Sequence, residues 1–246
     1  MNFGSPKTIT DGLVFYFDFA NNGDCYVSGS TTAKNLVAAN NSTVSSAVGT
    51  LATTPSAFGY LPSSNFGTIK FAGGSTTIIT VPVSDSMKPT TSITQEVWVK
   101  PSNIVLSQKI INLQYQSALN YSYSLFMDVD GAAAPMWCAG INTSPITVTT
   151  DNSITGKWYH FVHTYDGEYQ ILYLNGVSIG AAALSGVITY DPTNTLLSIG
   201  KSFTSTNTGG LSYFDGTLSM MCIYNRALSG NEVMTNFNSF RARFGI

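Results

Sequence analysis

Apolar and polar residues alternate with period two along most of the chain. Leu13, Phe15, Phe17 and Phe19 alternate with Val14, Tyr16 and Asp18, which predicts a strand with one strongly apolar face. Ile79, Val81 and Val83 repeat the pattern, and Pro82 predicts an edge position or a strand end. Val97–Val99 predicts a short strand stopped at Pro101. Residues 158–165 and 169–174 predict two strands joined at Asp166-Gly167, a dipeptide suited to tight hairpins. Asn175-Gly176 marks a second such turn, leading into 177–179, and 196–199 predicts a strand ending at Gly200. Asp128-Val129-Asp130-Gly131 reads as a further hairpin turn.

One segment leaves this period. Val233, Phe237, Phe240 and Phe244 recur at spacings of four, three and four, which is one face of a helix. Ser229 followed by Glu232 is a capping box at its start. Arg241 and Arg243 suit the negative end of the helix dipole. Many short strands punctuated by Gly, Asn, Asp and Pro, with one helix near 230–241, predict an all-β fold. The expected form is a two-sheet antiparallel jelly-roll sandwich with a short C-terminal helix. Residues 11–246 read as a single domain, and residues 1–10 as an N-terminal arm of the kind that docks on neighbours.

Composition narrows the function. Charged residues make up 10% of the 246, against about 25% in ordinary globular chains. The loops are rich in Ser, Thr and Asn, so the surface is polar but weakly charged. Such a surface packs well against other proteins, and a net charge of −2 does not oppose a homo-oligomer or a lattice of copies. The Lys and Arg residues are scattered, so nucleic acid is not an expected partner. No apolar stretch reaches the length of a membrane span. Residues 1–6 lack the basic and apolar parts of a signal peptide. Cys25, Cys138 and Cys222 have no metal or redox spacing and read as buried thiols of a chain folded in a reducing cytoplasm.

Candidate chemistry is sparse. Glycoside hydrolysis needs two carboxylates at a set separation. Glu96, Glu168 and Glu232 are the glutamates, and only Asp166 stands near one of them, Glu168, in a predicted turn. His160 and His163 share one strand at an odd separation, so they face opposite sides. No serine elbow, phosphate loop or dinucleotide fingerprint is present. An enzyme is therefore not expected, a glycoside hydrolase included. Tyr115, Tyr121, Tyr123 and Tyr213, in or near predicted loops, are candidates for an aromatic platform that stacks on sugar. The alternative for them is a sandwich-edge position with one wet end.

Five blocks, in order, resemble concanavalin A-like, laminin-G-like jelly-roll domains: DGLVFYFDF, GTIKFAGGSTTIITVP, SITQEVWVKP, GKWYHFVHTYDGEYQILYLNGV and the closing strand–helix segment. NNGDCYVSGSTTAKNL and the NRALS…EV…NFN…RFGI ending resemble the versions carried by tailed bacteriophages. The resemblance implies a virion structural protein, an exposed capsid decoration or appendage component, folded in the host cytoplasm among other capsid or tail proteins. The alternative it implies is a lectin-like module of a tail or fibre that binds host-surface glycans. It also implies calcium ligands at three places. There this chain has Asn35-Leu36-Val37-Ala38-Ala39-Asn40, Phe71-Ala72-Gly73 and Leu218-Ser219. Calcium takes six to eight oxygens, several anionic. Asp24 and Asp215 remain as the candidate ligands, with turn formation as their alternative role, and no cofactor is expected.

Overall fold

The computed structural model describes residues 7–21, 24–26, 30–37, 48–51, 59–60, 67–73, 78–104, 107–115, 121–150, 154–201 and 213–246. The alternating stretches form strands of two antiparallel sheets packed face to face in a jelly roll. The first sheet runs, in spatial order, β14 (Val177–Ala183), β13 (Tyr169–Leu174), β12 (Tyr159–Tyr165), β7 (Ile93–Pro101), β16 (Asp215–Tyr224), β5 (Ile69–Ala72) and β4 (Gly59–Tyr60). One edge of β16 pairs with β7. The other edge is divided between β5, along Asp215–Leu218, and β1 (Leu13–Asp18), along Met220–Tyr224. The second sheet runs β11 (Ser144–Thr149), β10 (Pro135–Ile141), β9 (Tyr121–Val129), β8 (Gln108–Gln114), β15 (Leu196–Ile199), β6 (Ile79–Pro82), β3 (Val48–Leu51) and β2 (Thr32–Lys34).

Side chains on the two inner faces meet in one apolar core. Phe15, Phe17 and Phe19 enter it from the first strand, as their alternation requires, and Ile79, Val81, Leu113, Leu125, Trp137 and Ile199 enter from the second sheet. Two expectations change. The strand around Val97 is nine residues long, not three. It lies in the middle of its sheet with both faces covered, so Thr94, Gln95 and Glu96 are buried and the alternation that marks a half-exposed strand is lost. Pro82 ends its strand but does not lie at an edge, because β6 sits between β15 and β3.

The helix, α1 (Gly230–Phe244), covers the outer face of the first sheet. Its capping box is complete, and Gly245 ends it in the left-handed region at φ 71°. Trp98 stacks under Phe244 with ring centroids 4.1 Å apart, and Phe237 lies parallel to the same indole at 5.9 Å. Beneath this apolar contact is a closed polar circuit. Glu96 Oε1 lies 2.9 Å from His160 Nε2, and Asn236 Nδ2 donates to Glu96 Oε2 at 2.8 Å. Ile9 N–H donates to Asn236 Oδ1 at 2.9 Å, and the Tyr224 hydroxyl donates to the Ile9 carbonyl at 3.1 Å. Residues 7–10 of the expected arm thus include one held against the helix. Residues 1–6 lie outside the described residues. Arg243 closes the far end through a bidentate pair with Asp18, at 2.8 and 3.0 Å.

His160 faces the helix and His163 faces the core, as the odd separation predicts. His163 Nδ1 bonds Gln95 Nε2 at 3.0 Å. Burial pushes the His163 imidazole down to about 4.

Two outcomes follow from these contacts. Asn236→Leu leaves Glu96 Oε2 and the Ile9 N–H without their partner, so urea unfolding should show a loss of about 2–4 kcal/mol. The unfolded chain takes a proton on His163 near pH 6.5 and the folded chain only near 4. Stability is therefore undiminished by this group above pH 6.5 and falls as pH drops towards 4, by about 3 kcal/mol in all. Comparing denaturation of wild type and His163→Leu from pH 7 to 4 isolates this part, and the variant should have the shallower decline.

Candidate functional site

Several carboxylates of the described residues are held in structural roles. Glu96 belongs to the buried circuit under the helix. Glu232 is gripped by both terminal nitrogens of Arg226 and accepts from the Ser229 backbone, and the Arg226 bonds foremost pull its carboxyl down to about 2. Asp166 Oδ1 accepts the N–H groups of Glu168 and Tyr169, so the one acid near Glu168 is fixed in the turn of its hairpin. Asp130 does the same for Ala132 and Ala134. Among the described residues no three His, Cys, Asp or Glu side chains come together as a metal site. Asp24 stands exposed in the turn after β1. Asp215 opens β16 beside Gly73, with its N–H donating to Gln108 Oε1 at 3.3 Å.

The outer face of the second sheet is polar where that of the first is apolar, and its central residues Ser198, Asn112 and Ser124 are buried while Lys109 beside them is partly exposed. Its register aligns Thr80, Ser198, Asn112, Ser124, Gly140 and Pro145 in one row across six strands, all pointing away from the core. The row is made of small or polar residues. Two of its hydroxyls are tied back to the backbone: Ser198 Oγ donates to the Asn112 carbonyl and Ser124 Oγ to the Ile111 carbonyl, both at 3.0 Å. Asn112 Nδ2 and, on the same strand as Ser124, Ser122 Oγ have no hydrogen-bond partner among the described residues. Asn112 is only 2% exposed and Ser122 fully buried. Buried amides and hydroxyls are nearly always bonded, so these two atoms are available to a further partner.

Beside this row stands an aromatic cluster with a cation on it. Lys109 pairs with Phe126 across β8 and β9, and its Nζ sits 3.3 Å from the Phe126 ring centroid and 5.2 Å from that of Tyr121. The Tyr121 ring lies over Gly140, where a Cβ would come within 2.5 Å of the tyrosine Oη, so the absence of a side chain there makes room for it. Burial pulls the Lys109 ammonium down to about 8, opposed by the neighbouring Cys138 and Asp128. Burial likewise pushes the Cys138 thiol up to about 12. Tyr213 bridges by its backbone to Lys109 and to Lys201, whose ammonium stands 5.1 Å from the Tyr213 ring.

The four candidate tyrosines therefore part company. Tyr121 stands on this outer face with Lys109 and Phe126, and Tyr213 reaches Lys109 by a backbone bridge while its ring lies with Lys201. Tyr123 points the other way. It is fully buried, its hydroxyl donates to the Met87 carbonyl, and it has no face for a ligand. Tyr115 follows the end of β8, half-buried. Sequence reasoning missed Lys109, Asn112, Ser122 and Ser198. Part of their signal is there in retrospect: Ser122 and Ser124 alternate with Tyr121, Tyr123 and Leu125, whereas in QKIINLQ the alternation is broken where the register shifts between Lys109 and Ile111.

A family model described as the concanavalin A-like lectin/glucanases superfamily matches residues 73–234. The chain belongs to that superfamily. Its fold is similar to the binding domain of Paraclostridial mosquitocidal protein 1, with a TM-score of 0.65 and 18% identity over 93% of this chain. This chain spans 52% of that structure. It is also similar to domain 4 of an extracellular arabinanase from Geobacillus stearothermophilus, solved with arabinotriose, with a TM-score of 0.55 and 16% identity, covering 92% of this chain and 98% of that one. A heptameric pentraxin from Limulus polyphemus matches with a TM-score of 0.53 and 19% identity, over 68% of this chain and 79% of its own. No curated protein sequence matches. These structural likenesses are too distant to carry more than the fold.

The lysine cluster can be checked directly. Phe126→Ala opens the site to water, and since burial is the largest cause of the Lys109 depression, the ammonium should return from about 8 towards the ordinary 10.5. A pH titration of the Lys109 side chain by NMR reads this, and an unchanged or lower value would refute the assignment of cause.

Proposed function

We propose that this member of the superfamily is a non-catalytic recognition module, displayed as an exposed structural component of a bacteriophage virion. In this reading it binds carbohydrate with the outer face of its second sheet. The observation that carries recognition is the orphaned pair Asn112 Nδ2 and Ser122 Oγ beside the Tyr121 and Phe126 rings. Sugars are held by flat aromatic surface together with a few fixed amide and hydroxyl groups, and this face supplies both. The engagement of Glu96, Glu232 and Asp166 in structural bonds supports a binding role over a hydrolytic one.

The virion placement is supported by the two phage-like stretches, at 21–36 and 225–246, and by the low charge that suits close packing with other capsid or tail proteins. On this reading the protein folds in the host cytoplasm and is displayed as a decoration or appendage, with the glycans of the host surface as its outside partner. The arabinanase domain solved with arabinotriose lends the recognition half some support, as a distant relative in fold. A second reading, scaffold alone, is favoured by the helix that seals the first sheet and gives the domain one smooth, closed side.

Mass spectrometry of purified particles tests the placement. Copies in proportion to the major capsid protein indicate decoration, a handful of copies indicate a fibre or tail tip, and absence refutes the virion assignment. A glycan array probed with the whole protein, with and without a calcium chelator, tests recognition. Binding that survives the chelator is expected, and binding to no glycan would leave the domain a scaffold.

A further inference from the structure

We infer that the glycan taken by the second sheet carries an acidic group, a carboxylate or a sulfate ester, that is seated against the Lys109 ammonium. The inference rests on the reading of this face as a glycan site and adds the chemistry of what it selects. Four observations carry it. First, Lys109 makes no ion pair among the described residues, although Asp128 is near enough to influence it. Its ammonium is held instead on the Phe126 ring, which steadies a cation from one side and leaves its remaining N–H donors for another acceptor. Second, Asn112 Nδ2, a buried donor without a partner, projects from the same face. Third, a second ammonium, Lys201, stands over Tyr213, whose backbone bridges to both lysines. Fourth, Lys109 stays partly exposed while Ser198, Asn112 and Ser124 of the row beside it are buried, so the ammonium is the point on this part of the face that a ligand can reach.

The arrangement has the donors for an oxyanion. An ammonium and a primary amide both offer N–H groups, and the Asp128 carboxylate near Lys109 makes no ion pair with it. Removing the ammonium from water weakens its hydration, which is why it titrates near 8, and strengthens its attraction to an anion that reaches it. A neutral sugar would leave that ammonium less well solvated than in free solution. An acidic sugar restores the lost interaction, so the site discriminates by charge as well as by shape.

The test is a glycan array containing uronate, sialylated and sulfated sugars next to their neutral counterparts, followed by calorimetric titration of the best binder. Wild type should favour acidic over neutral glycans, and the carboxylate and sulfate spots separate the two sources of charge. Lys109→Met should weaken the acidic ligand about tenfold and weaken any neutral ligand less, so that the preference for acid is lost. Affinity of wild type should fall as pH rises through about 8, as Lys109 loses its proton. Asp128 and Cys138, Tyr121, Lys201 and Tyr213 are the other titratable groups around it. Lys109→Arg keeps the charge at all these pH values, so it should keep the preference and lose the pH dependence. That variant also serves if Lys109→Met unfolds. Neutral glycans bound as well as acidic ones, or acidic binding indifferent to both variants, would overturn the inference while leaving glycan recognition intact. Binding to no glycan would overturn both.

Discussion

The buried carboxylate of Glu96 needs partners, and the partners it finds decide which side of the sandwich is closed. A carboxylate taken out of water destabilises the fold by several kcal/mol unless bonds replace its hydration. Here one oxygen meets His160 on the adjacent strand, and the other meets Asn236 on the helix. The second bond exists only when the helix is docked in one register. Trp98, Phe237 and Phe244 give the helix its adhesion, but apolar rings tolerate sliding. The amide of Asn236 does not, because it also receives the Ile9 N–H and donates to Tyr224. Glu96, one of the three glutamates, is therefore the one that fixes the helix in place.

Closing one side leaves the other to function. Both sheets share a core, so each has a single free face. On the first sheet that face is apolar and needs a cover, which the chain provides from its own end. On the second it is a polar row, buried at Ser198, Asn112 and Ser124, beside a small apolar cluster that carries one partly exposed cation. The division follows from residue choice at alternate positions: Trp98 and Met220 point outward on one sheet, Asn112 and Ser124 on the other.

The sequence made the architecture largely legible, because half-exposed strands and a capped helix leave periodic traces. The first strand, the two tight hairpins at Asp166-Gly167 and Asn175-Gly176, and the capping box lie where their patterns put them. β7 was underestimated because a strand covered on both faces has no alternation to read. The site was less legible for a related reason. Tyrosines draw the eye as sugar-binding residues, but Tyr121 and Tyr123 are two apart on one strand and still face different clusters. The register slips between Leu113 and Gln114 opposite them, which no spacing rule announces. Lys109 was invisible because a lone lysine in a strand looks like a solvated surface residue until the ring beneath it is seen.

β16 has a consequence in time. It is bordered by β7 on one side and by β5 and β1 on the other, so it is the only link in the described part of the first sheet between those two groups of strands. All of them are synthesised before it. Until residues 215–224 leave the ribosome, the described strands of the first sheet fall into three unjoined pieces, β14 to β7, β5 with β4, and β1 alone, whereas β8 to β11 of the second can already pair with near neighbours. Folding must then wait for long-range closure, which is slow and leaves strand edges exposed to other nascent chains. A protein made in many copies at once would feel that delay most, and its yield would depend on how quickly the last strand arrives.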